Sequence, residues 1–317
     1  MNSTIAFQSA CVPQSPIITY IITTYKQCKF LSSAIHSVAS QNDNENDYEI
    51  LVISNNPNID FAELIELYSD EPIVFYVNER NYGQVGNMNQ AAFLAKGKYI
   101  AYVHDDDMLL PNYYSAMKEY LKKDIYDCIL PSYYLMGEKY KFDFAHRIAD
   151  VLFAFRYIYR GRMTPLDADA FEKAAEDVYG APSCGAVFRK SALVEYGLFR
   201  DERGAAWDFY NFREFSKQYN VNRLHSYLGI RRTDTGMSSN PKVQRDFFDD
   251  WKKTIEEECS KHSFLYRNRE HCLYRKKTWR YALFRIRKNI ITYIYNYDRE
   301  MGVTRALFQE YGGGEAE

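Results

Sequence analysis

Tyr99-Ile100-Ala101-Tyr102-Val103-His104-Asp105-Asp106-Asp107-Met108-Leu109-Leu110-Pro111 runs from an apolar stretch straight into three consecutive aspartates. The apolar half reads as a buried strand, and carboxylates at its end are costly unless water or a cation neutralises them. Hard oxygen donors of this kind suit Mg²⁺ or Mn²⁺, which hold substrate phosphates while keeping waters of their own. An isolated aspartate triplet is more often a solvated turn capping the next helix, here the one after Pro111, so the surroundings have to decide.

Working back from this stretch, strand and helix signals alternate. Ile17 to Ile22 is a short β-branched run bounded by turn-prone residues, and Leu31, Ala34, Ile35 and Val38 fall on one helical face. Tyr48 to Ile53 predicts a second strand, followed by a helical stripe at Phe61, Leu64, Ile65 and Tyr68 behind an Asp60 cap. Ile73 to Val77 predicts a third strand, and Met88, Ala91, Ala92 and Ala95 a third helix that Gly97 stops before the Tyr99 strand. This alternation predicts an α/β fold, a mostly parallel central sheet flanked by helices. Ligands gather beyond the carboxyl ends of such strands. The segments Thr23 to Tyr25, Ser54 to Asn56, Asn78 to Asn81 and His104 to Asp107 all fall there.

Downstream the pattern loosens. Tyr133 to Val178 reads as an insertion on the acceptor side, and Ser191 to Tyr196 as a short helix ended by Gly197. Asn240-Pro241 opens a C-terminal helical appendage with Phe248, Trp251 and Ile255 on one stripe. The expected division is an N-terminal extension over 1–15, a catalytic domain over 16–240, a basic aromatic region over 241–311 and a disordered tail over 312–317.

Composition narrows the function. A chain of 317 residues with 46% hydrophobic content can fill one large core, and a net charge of −2 argues against nucleic acid as a partner. The six cysteines, at 11, 28, 128, 184, 259 and 272, form no Cys-x-x-Cys pair, which fits a reducing cytoplasm rather than a zinc ribbon or a disulfide framework. Met1 to Gln14 lacks the layout of a signal peptide, and no apolar run reaches the roughly 18 residues of a membrane span. Neither G-x-G-x-x-G nor G-x-x-x-x-G-K-[ST] occurs, so dinucleotide and P-loop readings fail. From Leu265 to Ile290, nine Lys or Arg residues against the single acid Glu270 are interleaved with Tyr266, Tyr274, Trp279, Tyr281 and Phe284. That pattern suits either a solvated helix or one lying on an anionic membrane surface.

In order and spacing, residues 16 to about 240 resemble the inverting family 2 glycosyltransferases of the glycosyltransferase-A fold. Ile21-Ile22-Thr23-Thr24-Tyr25 is similar to the opening strand and nucleotide loop, and Tyr48 to Asn56 to the second strand. Asn81-Tyr82-Gly83, Gly86, Asn89 and Gly97 to Tyr102 are similar to the stretch before the metal motif. Counting back from Pro111 puts the Asp-x-Asp motif on His104-Asp105-Asp106, with His in the first acid's place. A nucleotidyltransferase would resemble a Gly-rich loop after its first strand, and Thr23 to Gln27 has no glycine.

The resemblance implies a nucleotide-sugar donor, with UDP favoured and thymidine and guanosine open, and a divalent metal, Mn²⁺ or Mg²⁺. Asp106 is the implied principal metal ligand, joined by Asp105 and, from Arg231-Arg232-Thr233-Asp234, by Asp234. Thr23, Tyr25, Asn55, Asn81, Gly83, Asp105, Arg231 and Arg232 are the implied donor-binding residues. Asn55 stands where the family often has an acid, and its side-chain oxygen is expected to accept the imide hydrogen of uracil. His104 is either a ligand or a ring oriented by its neighbours. Trp207-Asp208-Phe209-Tyr210 resembles the segment carrying the general base, so Asp208 is the implied base, with Asp201 and Glu202 as fallbacks. The implied acceptor is a glycan, polyprenyl-diphosphate-linked if residues 265–290 rest on the inner face of the cell membrane. The competing reading is a degenerate binding or scaffold protein, supported by the losses at Ser54 and His104.

Overall fold

The computed structural model describes residues 1–26, 29–41, 47–136, 163–165, 183–202, 204, 207–232, 242–243, 246 and 249. Asp234, the basic stretch 265–290, the tail 312–317 and most of the expected insertion and appendage lie outside the described residues.

Among the described residues ten strands form one sheet: β1 (Ser3–Gln8), β2 (Ile18–Thr24), β3 (Tyr48–Ser54), β4 (Ile73–Asn78), β5 (Tyr99–His104), β6 (Met108–Leu109), β7 (Cys128–Met136), β8 (Met163–Pro165), β9 (Val187–Arg189) and β10 (Val221–Arg232). Their order is β1-β4-β3-β2-β5-β9-β7-β10-β6, with β8 also on β10. β2 pairs in parallel with β3 and β5, β3 with β4, and β7 with β10. β1, β6, β8 and β9 run against their neighbours. The sheet is therefore mixed, with the expected parallel half intact and β9 reversed between β5 and β7.

The helices are α1 (Leu31–Ala39), α2 (Ala62–Tyr68), α3 (Gly83–Leu94), α4 (Tyr113–Lys123), α5 (Lys190–Glu195) and α6 (Trp207–Ser216). Alternate side chains of a strand point to opposite faces. Ile18, Tyr20 and Ile22 of β2 accordingly join the cluster packed by α1, α2 and α4, while Ile21 joins the one packed by α3, α5 and α6. The stripes read from the sequence are the buried ones: Leu31, Ala34, Ile35 and Val38 on α1, and Met88, Ala91 and Ala92 on α3.

Two local expectations change. Residues 1–15, read as an extension, contribute β1 to the sheet's edge, because Ser3 to Gln8 finds an antiparallel partner in β4. Gly97, read as a helix stop, lies three residues past the end of α3. A Cβ on it would sit 2.5 Å from the Thr19 amide nitrogen and 2.7 Å from Thr19 Oγ1, the oxygen that accepts the Gly97 N–H. The same hydroxyl donates to the buried Glu49 carboxylate at 2.7 Å. Gly97→Ala therefore forces β2 and β5 apart. It should destabilise the fold by about 2–3 kcal/mol, as overpacking does, read as a lower urea midpoint at unchanged slope. A midpoint equal to that of the wild type would show that the close approach carries no constraint.

Candidate functional site

Register brings the functional loops to one rim. Thr23 of β2 lies opposite His104 of β5, Thr24 opposite Ser54, and Ser54 opposite Val77 of β4. β10 runs parallel to β7, so Arg231 and Arg232 finish at the same rim.

The aspartate loop is a tight turn, with the Asp107 N–H donating to the His104 carbonyl at 3.1 Å. Each residue then takes a different fate. His104, Asp105 and Asp106 are half-buried, and Asp107 is fully buried. Asp105 accepts the Thr24 hydroxyl at 2.6 Å. Burial pushes the Asp105 carboxyl up to about 6, with the Thr24 hydrogen bond opposing and the Asp106 charge assisting. Asp107 Oδ1 accepts the Arg232 N–H at 2.9 Å. Burial, then the neighbouring Asp106 charge, lifts Asp107 to about 7 against the pull of Arg231. His104 Nε2 is 2.5 Å from Ser183 Oγ, and burial lowers the imidazole's pKa despite Asp106 nearby.

Asp105 and Asp106 are thus two adjacent carboxylates at the rim, the donor set that fits Mg²⁺ or Mn²⁺. Among the described residues no group of three or more His, Cys, Asp or Glu side chains gathers to hold a metal.

The expected donor-binding residues divide into two groups. Tyr25 is exposed at the end of β2, Asn81 is exposed, and Asn81 Oδ1 accepts the Gly83 N–H at 2.8 Å to shape the opening of α3. Gly83 sits at φ +74°, a conformation that favours glycine. Asn55, by contrast, is buried and committed. Its oxygen accepts from Asn78 Nδ2 at 2.8 Å and from the Tyr82 N–H at 3.2 Å, while its nitrogen donates to the Gly83 carbonyl at 2.7 Å. Both lone pairs are used, so the expectation that Asn55 accepts a uracil imide is corrected: it holds the loop instead. Asn78 and Asn87 extend the same network, with Asn78 Nδ2 also donating to Asn87 Oδ1 at 2.8 Å and Ser3 of β1 donating to Asn78 Oδ1 at 2.6 Å.

Arg231 and Arg232 also part company. Successive strand residues face opposite ways. The Arg232 guanidinium lies 3.8 Å from the Phe30 ring centroid and is buried. Arg231 is half-buried with Tyr133 beside it. Burial works against its charge, but Tyr133, Asp107 and Asp208 outweigh it and raise its pKa. Asp208 opens α6 half-buried, with Oδ1 accepting the Phe209 N–H at 2.7 Å. Burial pushes its carboxyl up to about 6, against the Phe209 bond and the Arg231 charge. Two asparagines hold the turn leading to it. Asn89 pairs with Phe199 through N–H and carbonyl at 3.0 and 2.8 Å, and Asn211 pairs with Arg200 in the same manner, both at 2.8 Å. The fallback acids Asp201 and Glu202 are exposed.

The sequence matches Glycosyl transferase family 2 over residues 19–197. The chain belongs to that family. An uncharacterized glycosyltransferase of Methanocaldococcus jannaschii is 33% identical over 113 residues, covering 34% of this chain and 38% of that protein. The GalNAc(5)-diNAcBac-PP-undecaprenol beta-1,3-glucosyltransferase of Campylobacter jejuni is 30% identical over 107 residues, covering 33% and 34%. This chain thus spans well under half the length of these curated relatives. Among solved structures, S. aureus TarS 1–349 in complex with UDP-GlcNAc superposes with a TM-score of 0.57 at 14% identity, covering 76% of this chain and 66% of that one. The mannosyltransferase PcManGT of Pyrobaculum calidifontis, in complex with GDP-Man and Mn²⁺, gives 0.54 at 13% identity, covering 80% and 68%. These likenesses establish the glycosyltransferase-A fold. The family match ends before Asp208 and Arg231.

As the expected base, Asp208 works only when deprotonated, so its carboxyl, raised by burial to about 6, predicts an acid limb centred near that pH. The rate should therefore fall by about tenfold per pH unit under that value. A pH profile of donor turnover with an acid limb that Asp208→Glu displaces would agree; a flat profile down to pH about 4.5 would contradict it.

Proposed function

We propose that this chain is an inverting glycosyltransferase that moves a sugar from a nucleotide-diphospho-sugar to a glycan hydroxyl. The observation that carries the reading is the position of Arg231, within electrostatic reach of both Asp107 in the aspartate loop and Asp208 at the start of α6. One positive charge thus acts on both the loop proposed to receive a diphosphate and the acid proposed to receive a proton.

In this reading Asp105 and Asp106 hold a divalent cation, which when bound neutralises charge on the leaving diphosphate. Arg231 adds a positive charge beside the same phosphates. Asp208 accepts the proton of the acceptor hydroxyl as its oxygen bonds to the anomeric carbon and the bond to the phosphate oxygen breaks, inverting that carbon. Thr24 keeps one oxygen of Asp105 oriented. UDP is the favoured nucleotide, supported by the family and the UDP-GlcNAc complex of TarS, now without help from Asn55.

A hydrolysis screen across UDP-, dTDP- and GDP-sugars with Mn²⁺ tests the reading. Release of one nucleoside diphosphate with an inverted sugar product is expected. Nucleotide binding with no turnover on any donor or glycan acceptor would leave the scaffold role instead.

A polyprenyl-diphosphate-linked acceptor is supported by the printed activity of the Campylobacter jejuni relative and by the basic aromatic composition of residues 265–290. Among the described residues no helix is long and apolar enough to cross a membrane. The full chain should float with liposomes containing anionic lipid and stay behind with neutral ones, since each basic residue near such a surface contributes about 1 kcal/mol. Equal flotation on both would remove the membrane from the proposal.

A further inference from the structure

We infer that the turn 183–186 is a positioning element for the aspartate loop, and that His104 serves as its latch to Ser183 instead of as a metal ligand. The inference rests on the reading of Asp105 and Asp106 as the donor site.

Three consecutive residues of this turn reach three points of the β5–loop segment. Gly185 N–H donates to the Tyr102 carbonyl at 2.6 Å, and the Tyr102 N–H returns a bond to the Ala186 carbonyl at 3.1 Å. Ser183 Oγ meets His104 Nε2 at 2.5 Å, and the Cys184 thiol lies beside the Asp107 carboxylate. The turn itself is closed by Ala186 N–H on the Ser183 carbonyl at 3.2 Å, with Gly185 at φ +72° and its carbonyl accepting the Tyr113 hydroxyl at 2.7 Å. Ser183, Cys184 and Ala186 are buried.

The consequence is geometric. His104 meets the Ser183 hydroxyl at one end of the 104–107 turn and Asp107 accepts the Arg232 N–H at the other, with Cys184 beside it, while the two central carboxylates remain at the half-buried rim. An acid in place of His104 would add a third negative charge beside Asp105 and Asp106, whereas the imidazole uses its Nε2 on Ser183. The motif's departure at its first position therefore gives the loop a fixed orientation, and orientation errors near 1 Å cost up to about 100-fold in comparable sites.

Four variants of the full chain test this: Ser183→Ala, His104→Ala, the double variant, and His104→Gln, whose side-chain nitrogen reaches towards the place of Nε2. Proton–nitrogen correlation spectra of the imidazoles need no substrate. Calorimetric titration of UDP in Mn²⁺ reads the donor site. Ser183→Ala should shift the His104 Nε2 resonance and weaken UDP binding in Mn²⁺ by about tenfold, as loss of one orienting hydrogen bond does. His104→Ala should weaken it equally, the double variant no further, and His104→Gln should recover most of the loss. An unmoved Nε2 resonance in Ser183→Ala would overturn the latch. So would UDP affinity at the wild-type level in Ser183→Ala alongside a tenfold loss in His104→Ala, the behaviour of a direct ligand. Wild-type protein that bound no UDP in Mn²⁺ would count against the proposed function, and the imidazole spectra would then decide the latch by themselves.

Discussion

Asp106→Asn should lower donor turnover in Mn²⁺ by roughly 10³-fold, the scale seen when a preorganised electrostatic contact to the leaving group is removed. The carboxylate lies in a turn whose ends are tied to Ser183 and to the Arg232 amide, which limits how far the loop can move to absorb the substitution. Asparagine keeps the volume and removes the charge. It also relieves the repulsion that helps raise the Asp107 carboxyl, so the fold should be no less stable than before. Kinetics beside thermal unfolding separate the two effects. Turnover within about threefold of wild type, a barrier change of under 1 kcal/mol, would take Asp106 out of the donor site.

The second large effect is at Asp208. Asp208→Asn should retain nucleotide binding and lose transfer by about 10³-fold, within the range for a general base. The variant is a clean one. The side-chain oxygen of asparagine can still accept the Phe209 N–H, and Trp207 beneath it remains packed 5.5 Å from Phe199, so α6 keeps its start. Only the proton acceptor is gone. Near-normal turnover would shift the role to the exposed Asp201 or Glu202.

The parallel half of the sheet and its rim were legible because apolar periodicity encodes them locally. Leu31, Ala34, Ile35 and Val38 announce α1 without reference to anything distant. The aspartate loop was legible for a similar reason, as charge at the end of an apolar strand. What the sequence hides is how polar groups spend their bonds. Asn55 has the right chemistry to read a base, yet Asn78 and the Tyr82 amide have taken its oxygen. Arg231 and Arg232 look equivalent on paper, and only the alternation of β10, with Phe30 waiting on one side, separates them. The grip of Ser183 on His104 crosses 79 residues and has no local signature. β9, three residues long and reversed between β5 and β7, is likewise invisible to a rule that reads alternating strands as parallel.

The aspartate loop is proposed as a cation-dependent nucleotide diphosphate site. Calorimetric titration of UDP into the wild-type chain and Asp106→Asn, each with and without Mn²⁺, tests this most directly. Binding by the wild type that strengthens at least about tenfold with Mn²⁺, a difference of about 1.4 kcal/mol, and loses that gain in Asp106→Asn is the predicted result. UDP affinity indifferent to both the metal and the substitution would contradict it.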